Sequence, residues 1–215
     1  MAFKGWPAAA IEFYEGLEAD NSKVYWQAHK ADYERLVLAP MEALLAEVAG
    51  EFGDGKIFRP YRDTRFSADK SPYKTGIGAT LSVRGYIHFD ADGLSVGSGY
   101  YMPAADQLER FRAAVDNDRT GTELVGLVAD AVAEDLEVTA HETLKSAPRG
   151  YPKDHPRIDL LRGKGLIVWK HWTPAPWLGT AKAKQRVLDV LRAAGPINAW
   201  LDANVGPSTL PERTR

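Results

Sequence analysis

The fold is decided by residues 76–101, which read GIGATLSVRGYIHFDADGLSVGSGYY. Aromatic and β-branched side chains recur through this stretch, as is typical of β-strands. Three predicted strands cover residues 77–83, 86–90 and 94–101. The Asp-Ala-Asp-Gly sequence at 90–93 suits a tight turn, and a fourth strand is predicted just upstream, at 57–66. Because short connections join antiparallel neighbours, we expect an antiparallel meander.

Helical patterns precede and follow this meander. Before it, apolar residues recur at helical spacing over residues 7–17, 22–37 and 41–52. After it, further helices are predicted at 102–115, 124–132, 156–161 and 182–192, and strands at 137–144 and 166–172. The predicted fold class is therefore α+β: an antiparallel β-meander sheet covered by helices, with a helical N-terminus and a C-terminal helix.

The composition is that of an ordinary soluble globular chain, with 45% hydrophobic and 26% charged residues among 215. A chain of this length can bury a sizeable core, so we expect one domain over residues 1–215, with two small domains as the alternative. Residues 205–215 are polar and contain Pro207 and Pro211, which predicts a flexible tail.

Several functional classes are excluded by composition. The absence of cysteine rules out disulfide frameworks, thiolate zinc sites and cysteine nucleophiles, and fits a reducing cytoplasm. The longest stretch without Asp, Glu, Lys or Arg is 13 residues, whereas a membrane-spanning helix needs roughly 20. The first residues also lack the basic-then-apolar order of a signal peptide. We therefore expect a cytoplasmic protein with no membrane partner.

Three short patterns resemble catalytic or cofactor motifs but lack their context. Gly93-Leu94-Ser95-Val96-Gly97 matches Gly-x-Ser-x-Gly, yet a turn precedes Ser95 and a strand follows it, the reverse of a hydrolase elbow. His141-Glu142 begins a zinc pattern, but Lys145 stands where the second histidine is needed. Gly97 and Gly99 begin the glycine pattern of a dinucleotide-binding loop, but the third glycine is missing. We therefore predict no metal site and no cofactor.

Charge is unevenly distributed along a chain whose net charge is only −2. Residues 56–74 hold six cations against two carboxylates, and residues 145–171 hold seven against two. If folding brings these two segments together, they form a local positive basin that attracts anions. The alternative is two separate solvated faces.

The first basic segment centres on Arg62. On an extended strand Phe58, Arg62 and Phe66 would share one face, which predicts a partly desolvated guanidinium that grips a carboxylate or phosphate. Asp63 and Asp69 offer an alternative, an internal salt-bridge network, and a protein contact surface is a third interpretation. The predicted ligand-binding residues of this segment are Arg59, Arg62, Asp63, Arg65, Lys70, Tyr73 and Lys74.

The second basic segment contributes His155 and Arg157 to the predicted ligand-binding residues. Pro156 suits the start of a helix, where backbone N–H groups favour an anion. His155 and Asp159 are four residues apart, so on a helix they could form an acid–base pair or two metal ligands, or merely a cap with a surface contact.

Several motifs closely resemble the family called domain of unknown function 2461. They are Tyr61-Arg62-Asp63-Thr64-Arg65-Phe66-Ser67, Asp69-Lys70-Ser71-Pro72-Tyr73-Lys74, Gly99-Tyr100-Tyr101-Met102-Pro103 and Asp154-His155-Pro156-Arg157, and Asn21 and Trp26 are similar too. The resemblance implies a cytoplasmic bacterial protein and supplies no catalytic residues. Gly76 departs from it, since a polar side chain is expected there.

The function that these observations favour is binding of a small anionic ligand bearing phosphate or carboxylate, with catalysis left open. A single-stranded nucleic-acid module is the second interpretation, because five aromatic residues lie among cations: Tyr61, Tyr73, Tyr151, Trp169 and Trp172. A protein-interaction module is the third. A pocket would favour the small ligand, and a long open groove the nucleic acid. The sequence leaves the ligand, any reaction and the oligomeric state undetermined.

Overall fold

The computed structural model describes residues 2–211. The fold divides into two compact units. The first unit contains the chain up to Val96 together with His171–Asp189, and the second contains Gly97–Lys170 together with the residues from Val190 onward. The expectation of one domain stays a prediction beside this division. Among the residues described, no helix is both long and apolar enough to cross a membrane.

The strands form one open antiparallel sheet with the order β1-β2-β3-β4-β6-β5. Their bounds are β1 Gly55–Ile57, β2 Gly76–Leu81, β3 Gly85–Asp90, β4 Gly93–Tyr100, β5 Glu137–Thr139 and β6 Leu166–Trp172. The first four strands are neighbours in chain order, so the predicted meander is confirmed. With helices packed beside the sheet, the α+β class is confirmed as well.

Most predicted helices are present in the structure. They are α1 Ala8–Ala19, α2 Lys23–Asp32, α3 Ala39–Phe52, α4 Ala105–Asp116, α5 Asp118–Ala133, α6 Ile158–Arg162 and α7 Lys182–Ala193. A π-helical segment, Tyr33–Leu38, joins α2 to α3, so Pro40 lies in the first turn of α3, where it needs no N–H partner. The sequence analysis missed α8, Gly195–Asn204, which begins in the same way with Pro196.

The predicted strand at 57–66 is wrong beyond Ile57, where β1 ends. Pro60 has no N–H for a sheet ladder, so a continuous strand is disfavoured there. The chain instead forms an irregular segment, residues 58–75, which we call the basic loop. Likewise, only Glu137–Thr139 of the predicted strand at 137–144 pairs with β6.

Each unit has its own buried aromatic cluster. In the first unit, the Trp6 ring stacks on Phe89 with centroids 4.8 Å apart, and both side chains are buried. In the second unit, Trp200 of α8 is buried against Phe111, and its Nε1 donates to the carbonyl oxygen of Thr120 at 3.0 Å. Burial alternates along β3, so Ile87 and Phe89 face the core while the residues that alternate with them lie on the opposite face.

The described part of the predicted tail is held by hydrogen bonds. The carbonyl oxygen of Gly206 accepts from Tyr100 and Gln107, and Arg110 donates to the carbonyl oxygens of Val205 and Pro207. The flexibility of residues 205–215 stays a prediction beside these bonds. Residues 212–215 of that prediction lie outside the described residues.

Two glycines of the second unit should respond oppositely to alanine. Gly99 has a φ of +130°, and a Cβ there would lie 2.2 Å from the carbonyl oxygen of Leu166, so Gly99→Ala should lower the free energy of unfolding by at least about 1–3 kcal/mol. Gly126 lies on an exposed face of α5 with open space around it, so Gly126→Ala should raise that free energy by about 0.5–1 kcal/mol. Urea denaturation measures both, and equal effects would contradict the assigned β4 backbone.

Candidate functional site

A cavity of about 360 Å³ lies in the first unit, between the basic loop and the face of β3 that points away from the core. We call it the site cavity. Its lining comes from the basic loop, from β2 and from β3. The lining residues are Phe58, Arg62, Tyr73, Lys74, Thr75, Gly76, Gly78, Tyr86, His88 and Asp90.

The basic loop is closed by a short two-stranded pairing. Tyr61 and Tyr73 form an isolated antiparallel bridge. On either side of it, the Arg62 N–H donates to the Pro72 carbonyl oxygen at 2.9 Å, and the Lys74 N–H donates to the Pro60 carbonyl oxygen at 2.8 Å. Because side chains alternate along such a pairing, Arg62 and Lys74 lie on the same side of it, opposite Tyr61 and Tyr73.

Asn21 fixes this pairing from outside. Its Nδ2 donates to the carbonyl oxygen of Tyr73 at 3.2 Å, and its Oδ1 accepts from the Tyr73 N–H at 3.0 Å. In a non-hydrogen-bonded antiparallel pair these backbone groups point outward, so the Asn21 amide replaces a neighbouring strand. The buried Trp26 ring stacks on the Tyr73 ring with centroids 4.4 Å apart. The resemblance motifs that contain Asn21, Trp26 and Tyr73 therefore meet in one structural cluster.

A hydrogen-bonded chain of three side chains runs along β3. The Tyr86 hydroxyl lies 3.2 Å from His88 Nδ1, and His88 Nε2 lies 2.9 Å from Asp90 Oδ2. An ionised carboxylate only accepts, so Nε2 carries the proton and Nδ1 of a neutral imidazole accepts from the Tyr86 hydroxyl. Burial raises the pKa of Asp90, but the hydrogen bond and charge of His88 and two backbone N–H groups outweigh it and lower that pKa overall. The arrangement suits proton transfer.

Gly76 makes room for this chain. A Cβ at Gly76 would lie 2.6 Å from His88 Cε1 and 2.8 Å from His88 Nε2. Gly76 pairs with Asp90 in the sheet register, and Gly78 pairs with His88. The imidazole therefore occupies the space that a side chain at position 76 would need, which is the position where the chain departs from the family resemblance.

The two cations of the site cavity have different environments. Arg62, whose side chain is 31% exposed, forms an ion pair with Asp69 through Nη1. Lys74 Nζ lies 5.3 Å from the centroid of the Phe58 ring, and within residues 2–211 no carboxylate is at ion-pair distance from it. Partial burial, and then the charge of Arg59, lower the pKa of the Lys74 amine. Lys74 is therefore a cation without a counter-ion in the described chain.

Other predicted residues of the basic loop hold the loop together. Arg65 donates to Asp63 from Nε at 2.9 Å and from Nη2 at 2.6 Å, and these bonds and the Arg65 backbone N–H lower the pKa of Asp63 to about 2. Lys70 Nζ donates to the Thr64 carbonyl oxygen at 2.9 Å. Arg59 is exposed. These four residues are not among those that line the site cavity.

The predicted burial of Arg62 between two phenylalanines is wrong. Phe66 is 96% exposed, and Phe58 is 37% exposed. That prediction depended on the alternation of side chains along an extended strand, but strand β1 ends at Ile57. Arg62 is instead a half-exposed ion-pair partner, and exposed pairs contribute roughly 0–1 kcal/mol to stability.

His155 and Arg157 lie in the second unit, where both hold backbone in place. His155 Nε2 pairs with Asp116 Oδ1 at 3.0 Å, and its Nδ1 accepts from the Arg157 N–H at 3.0 Å. Arg157 Nε donates to the Val115 carbonyl oxygen at 2.6 Å, and Nη2 pairs with Asp118. The predicted pairing of His155 with Asp159 is replaced by the pairing with Asp116. That the two basic segments share one site stays a prediction.

The motifs set aside in the sequence lack the structural context of the enzymes that they resemble. Ser95 is buried within β4, with Oγ 2.9 Å from His171 Nδ1, and a strand rather than a helix follows it. Glu142 pairs with Lys164. In residues 2–211, no group of three or more His, Asp or Glu side chains is arranged to hold a metal ion.

The sequence analysis missed Tyr86, His88 and Asp90 as site residues. Their signal is the spacing of two residues along a strand, which places all three side chains on one face. The pattern was ambiguous in the sequence, because either face of β3 could have been the one that points away from the core.

A family model described as conserved hypothetical protein (DUF2461) matches residues 9–200 of the chain. This range includes the Asn21–Tyr73 cluster and every residue that lines the site cavity. Comparison with the curated proteins and with the solved structures gave no match.

Replacing Asn21 with alanine should destabilise the first unit. The variant would leave the N–H and carbonyl groups of Tyr73 without their partner, which should lower the free energy of unfolding by about 1–3 kcal/mol. Hydrogen exchange should show faster exchange of the Tyr73 amide in particular. Unchanged protection of that amide would show that the Asn21 side chain does not hold the loop.

Replacing Gly76 with alanine should disturb the β3 chain more than the fold. The new methyl group would displace the His88 ring and break its bond to Asp90, at a cost of about 0.5–1.5 kcal/mol for a strained rotamer. The His88 ring signals in NMR spectra report the change. Gly50→Ala is the matched control, because nothing lies within 4 Å of a Cβ there. Identical His88 signals in both variants would contradict the close approach.

Proposed function

We propose that this chain, which belongs to the DUF2461 family of conserved hypothetical proteins, binds a small anionic ligand in the site cavity. The observation that carries the proposal is Lys74. Its amine lines the cavity without a carboxylate partner in residues 2–211, whereas Arg62 and Arg65 pair with carboxylates and Lys70 donates to a carbonyl oxygen. An unneutralised cation next to a second basic group attracts an anion.

Arg62 supports the same ligand class. Its Nη1 is engaged by Asp69, which leaves Nε and Nη2 along one edge of the planar guanidinium. Two parallel donors of this kind match the two oxygens of a carboxylate or phosphate. Arg62 and Lys74 lie on the same side of the loop pairing and line one cavity, so a single small anion could contact both.

The size of the site cavity favours a small ligand over a polymer. Its volume of about 360 Å³ lies at the small end of the range for small-molecule sites, roughly 300–1,000 Å³. Single-stranded nucleic acid is usually held along an extended groove by successive stacked bases. Tyr73, one of the aromatic residues behind that alternative, is buried against Trp26.

The Tyr86–His88–Asp90 chain would give the ligand site an acid–base function. A proton can pass between the Tyr86 hydroxyl and His88, and Asp90 would stabilise the imidazolium that forms. The proposed role is thus that of a binding protein with the groups an enzyme needs for proton transfer. We propose the cytoplasm as its compartment, in keeping with a chain that contains no cysteine.

Inorganic phosphate tests the proposal by its effect on thermal stability. A ligand that binds only the folded state at one hundred times its dissociation constant stabilises that state by about 2.7 kcal/mol. We expect phosphate to raise the melting temperature of the parent protein at constant ionic strength. Lys74→Ala should lose the shift, whereas Lys70→Ala should keep it, because the Lys70 amine is bound to a carbonyl oxygen of its own loop.

Two results would count against this function. Equal stabilisation of the parent and of Lys74→Ala by phosphate would show that phosphate does not act through the site cavity. Tight, salt-dependent binding of a single-stranded oligonucleotide that Lys74→Ala weakens would favour the nucleic-acid alternative. Fluorescence anisotropy measures this oligonucleotide binding.

A further inference from the structure

We infer that the Lys74 amine forms a Schiff base with the carbonyl carbon of a small oxo acid, whose carboxylate is held by Arg62. The inference rests on the proposed function, and it names the class of anion: a compound with both a carboxylate and a ketone or aldehyde group. It follows from three features of the site cavity: within residues 2–211, a lysine has no ion-pair partner and one edge of a guanidinium has no hydrogen-bond partner, and a proton-transfer chain lies beside them.

The first feature separates Lys74 from other lysines of the chain. A Schiff base requires a neutral amine, and an ion pair holds the proton on it. Lys164, Lys170 and Lys184 each pair with a carboxylate, and Lys70 donates to a carbonyl oxygen. Lys74 has neither kind of partner within residues 2–211 and is partly buried, whereas the other lysines without such a partner there are exposed. Partial burial and the charge of Arg59 favour its neutral form, against the attraction that the Phe58 ring exerts on the ammonium.

The second feature positions the substrate. Nε and Nη2 of Arg62, which have no partner in the described part of the chain, can hold a carboxylate by two parallel hydrogen bonds. In an oxo acid whose carbonyl adjoins the carboxylate, this contact would direct the carbonyl carbon toward the other cation of the same cavity. Binding of this kind converts the attack of the amine into an effectively intramolecular step.

The third feature supplies and removes protons. A Cβ at Gly78 would lie 2.9 Å from the Tyr86 hydroxyl oxygen and 3.2 Å from Phe58 Cδ2, so the hydroxyl and the ring beside Lys74 come close together above this glycine. The Tyr86 hydroxyl can therefore donate a proton to an oxygen atom that leaves near Lys74. His88 and Asp90 position that hydroxyl and share its proton.

The reaction is balanced without a further reactant. The Lys74 nitrogen attacks the carbonyl carbon, a C–N bond forms, and the carbonyl oxygen takes a proton from Tyr86 to become a hydroxyl group. The nitrogen then loses a proton, which returns to the Tyr86 oxygen through His88. A second proton transfer from Tyr86 lets the hydroxyl depart as water, and loss of the last N–H proton restores Tyr86. Amine and carbonyl compound thus give imine and water.

Reductive trapping tests the inference with pyruvate as the probe. The folded protein is incubated with pyruvate and sodium borohydride, and the adduct is located by intact mass and peptide mapping. We expect one adduct per chain, at Lys74, formed at least about tenfold faster than at Lys70, a difference equivalent to about 1.4 kcal/mol. Lactate, which has the carboxylate but no carbonyl group, should compete. Acetaldehyde, which has the carbonyl but no carboxylate, should form adducts without a preference for Lys74.

Variants separate the role of the Lys74 amine from that of the Tyr86 hydroxyl. Lys74→Arg keeps a cation in the cavity and should abolish the adduct, whereas Lys70→Ala should leave it unchanged. Tyr86→Phe should slow trapping at Lys74 while phosphate still stabilises the variant. Circular dichroism checks that each variant is folded, and Lys74→Arg provides the comparison if Lys74→Ala is unstable.

The outcomes also separate this inference from the proposed function. Stabilisation by phosphate without an adduct at Lys74, or with adducts spread equally over the exposed lysines, would overturn the Schiff base and leave the anion site standing. Failure of both phosphate stabilisation and trapping would overturn both. An adduct at Lys74 that lactate does not slow would overturn the carboxylate role of Arg62.

Discussion

The side-chain amide of Asn21 is the contact on which the rest of the site depends. By accepting from the N–H of Tyr73 and donating to its carbonyl oxygen, it takes the place of a strand that the sheet does not provide. The stacking of Trp26 on Tyr73 fixes the same residue through its ring. The pairing of Tyr61 with Tyr73 then closes the basic loop, and the alternation of side chains directs Arg62 and Lys74 to one side.

Strand β3 serves the core and the site at once. Ile87 and Phe89 are fully buried, and Phe89 stacks on Trp6, so the position of the strand is held by packing. Tyr86, His88 and Asp90, which alternate with them, therefore have little freedom to move along or across the sheet. A proton-transfer chain on such a strand is preorganised, because its geometry comes from the register of the sheet rather than from a flexible loop.

Ion pairing reduces the number of cations in this segment of six that remain for the proposed anion site. Asp63 neutralises Arg65, and Asp69 neutralises part of Arg62, so these carboxylates stabilise the loop and reduce its local charge. The internal salt-bridge network and the anion site were alternatives in the sequence, but they are compatible in the structure. The first uses Asp63, Arg65 and Asp69, and the second is left to Lys74 and the free edge of Arg62.

The sequence by itself determined the fold class, the meander and most helices, because periodicity of apolar residues and turn chemistry are local properties. It also singled out Arg62, Tyr73 and Lys74, which line the site cavity. Only the tertiary structure decided which cations have partners and which face of β3 points away from the core, since both depend on contacts between residues far apart in the chain. Pro60 ended a strand that the aromatic pattern predicted, and so the environment of Arg62 could not be derived from alternation alone. His88 is a candidate site residue because it lies between Tyr86 and Asp90 and because its ring occupies the space beside Gly76. Only packing shows which space a glycine leaves open.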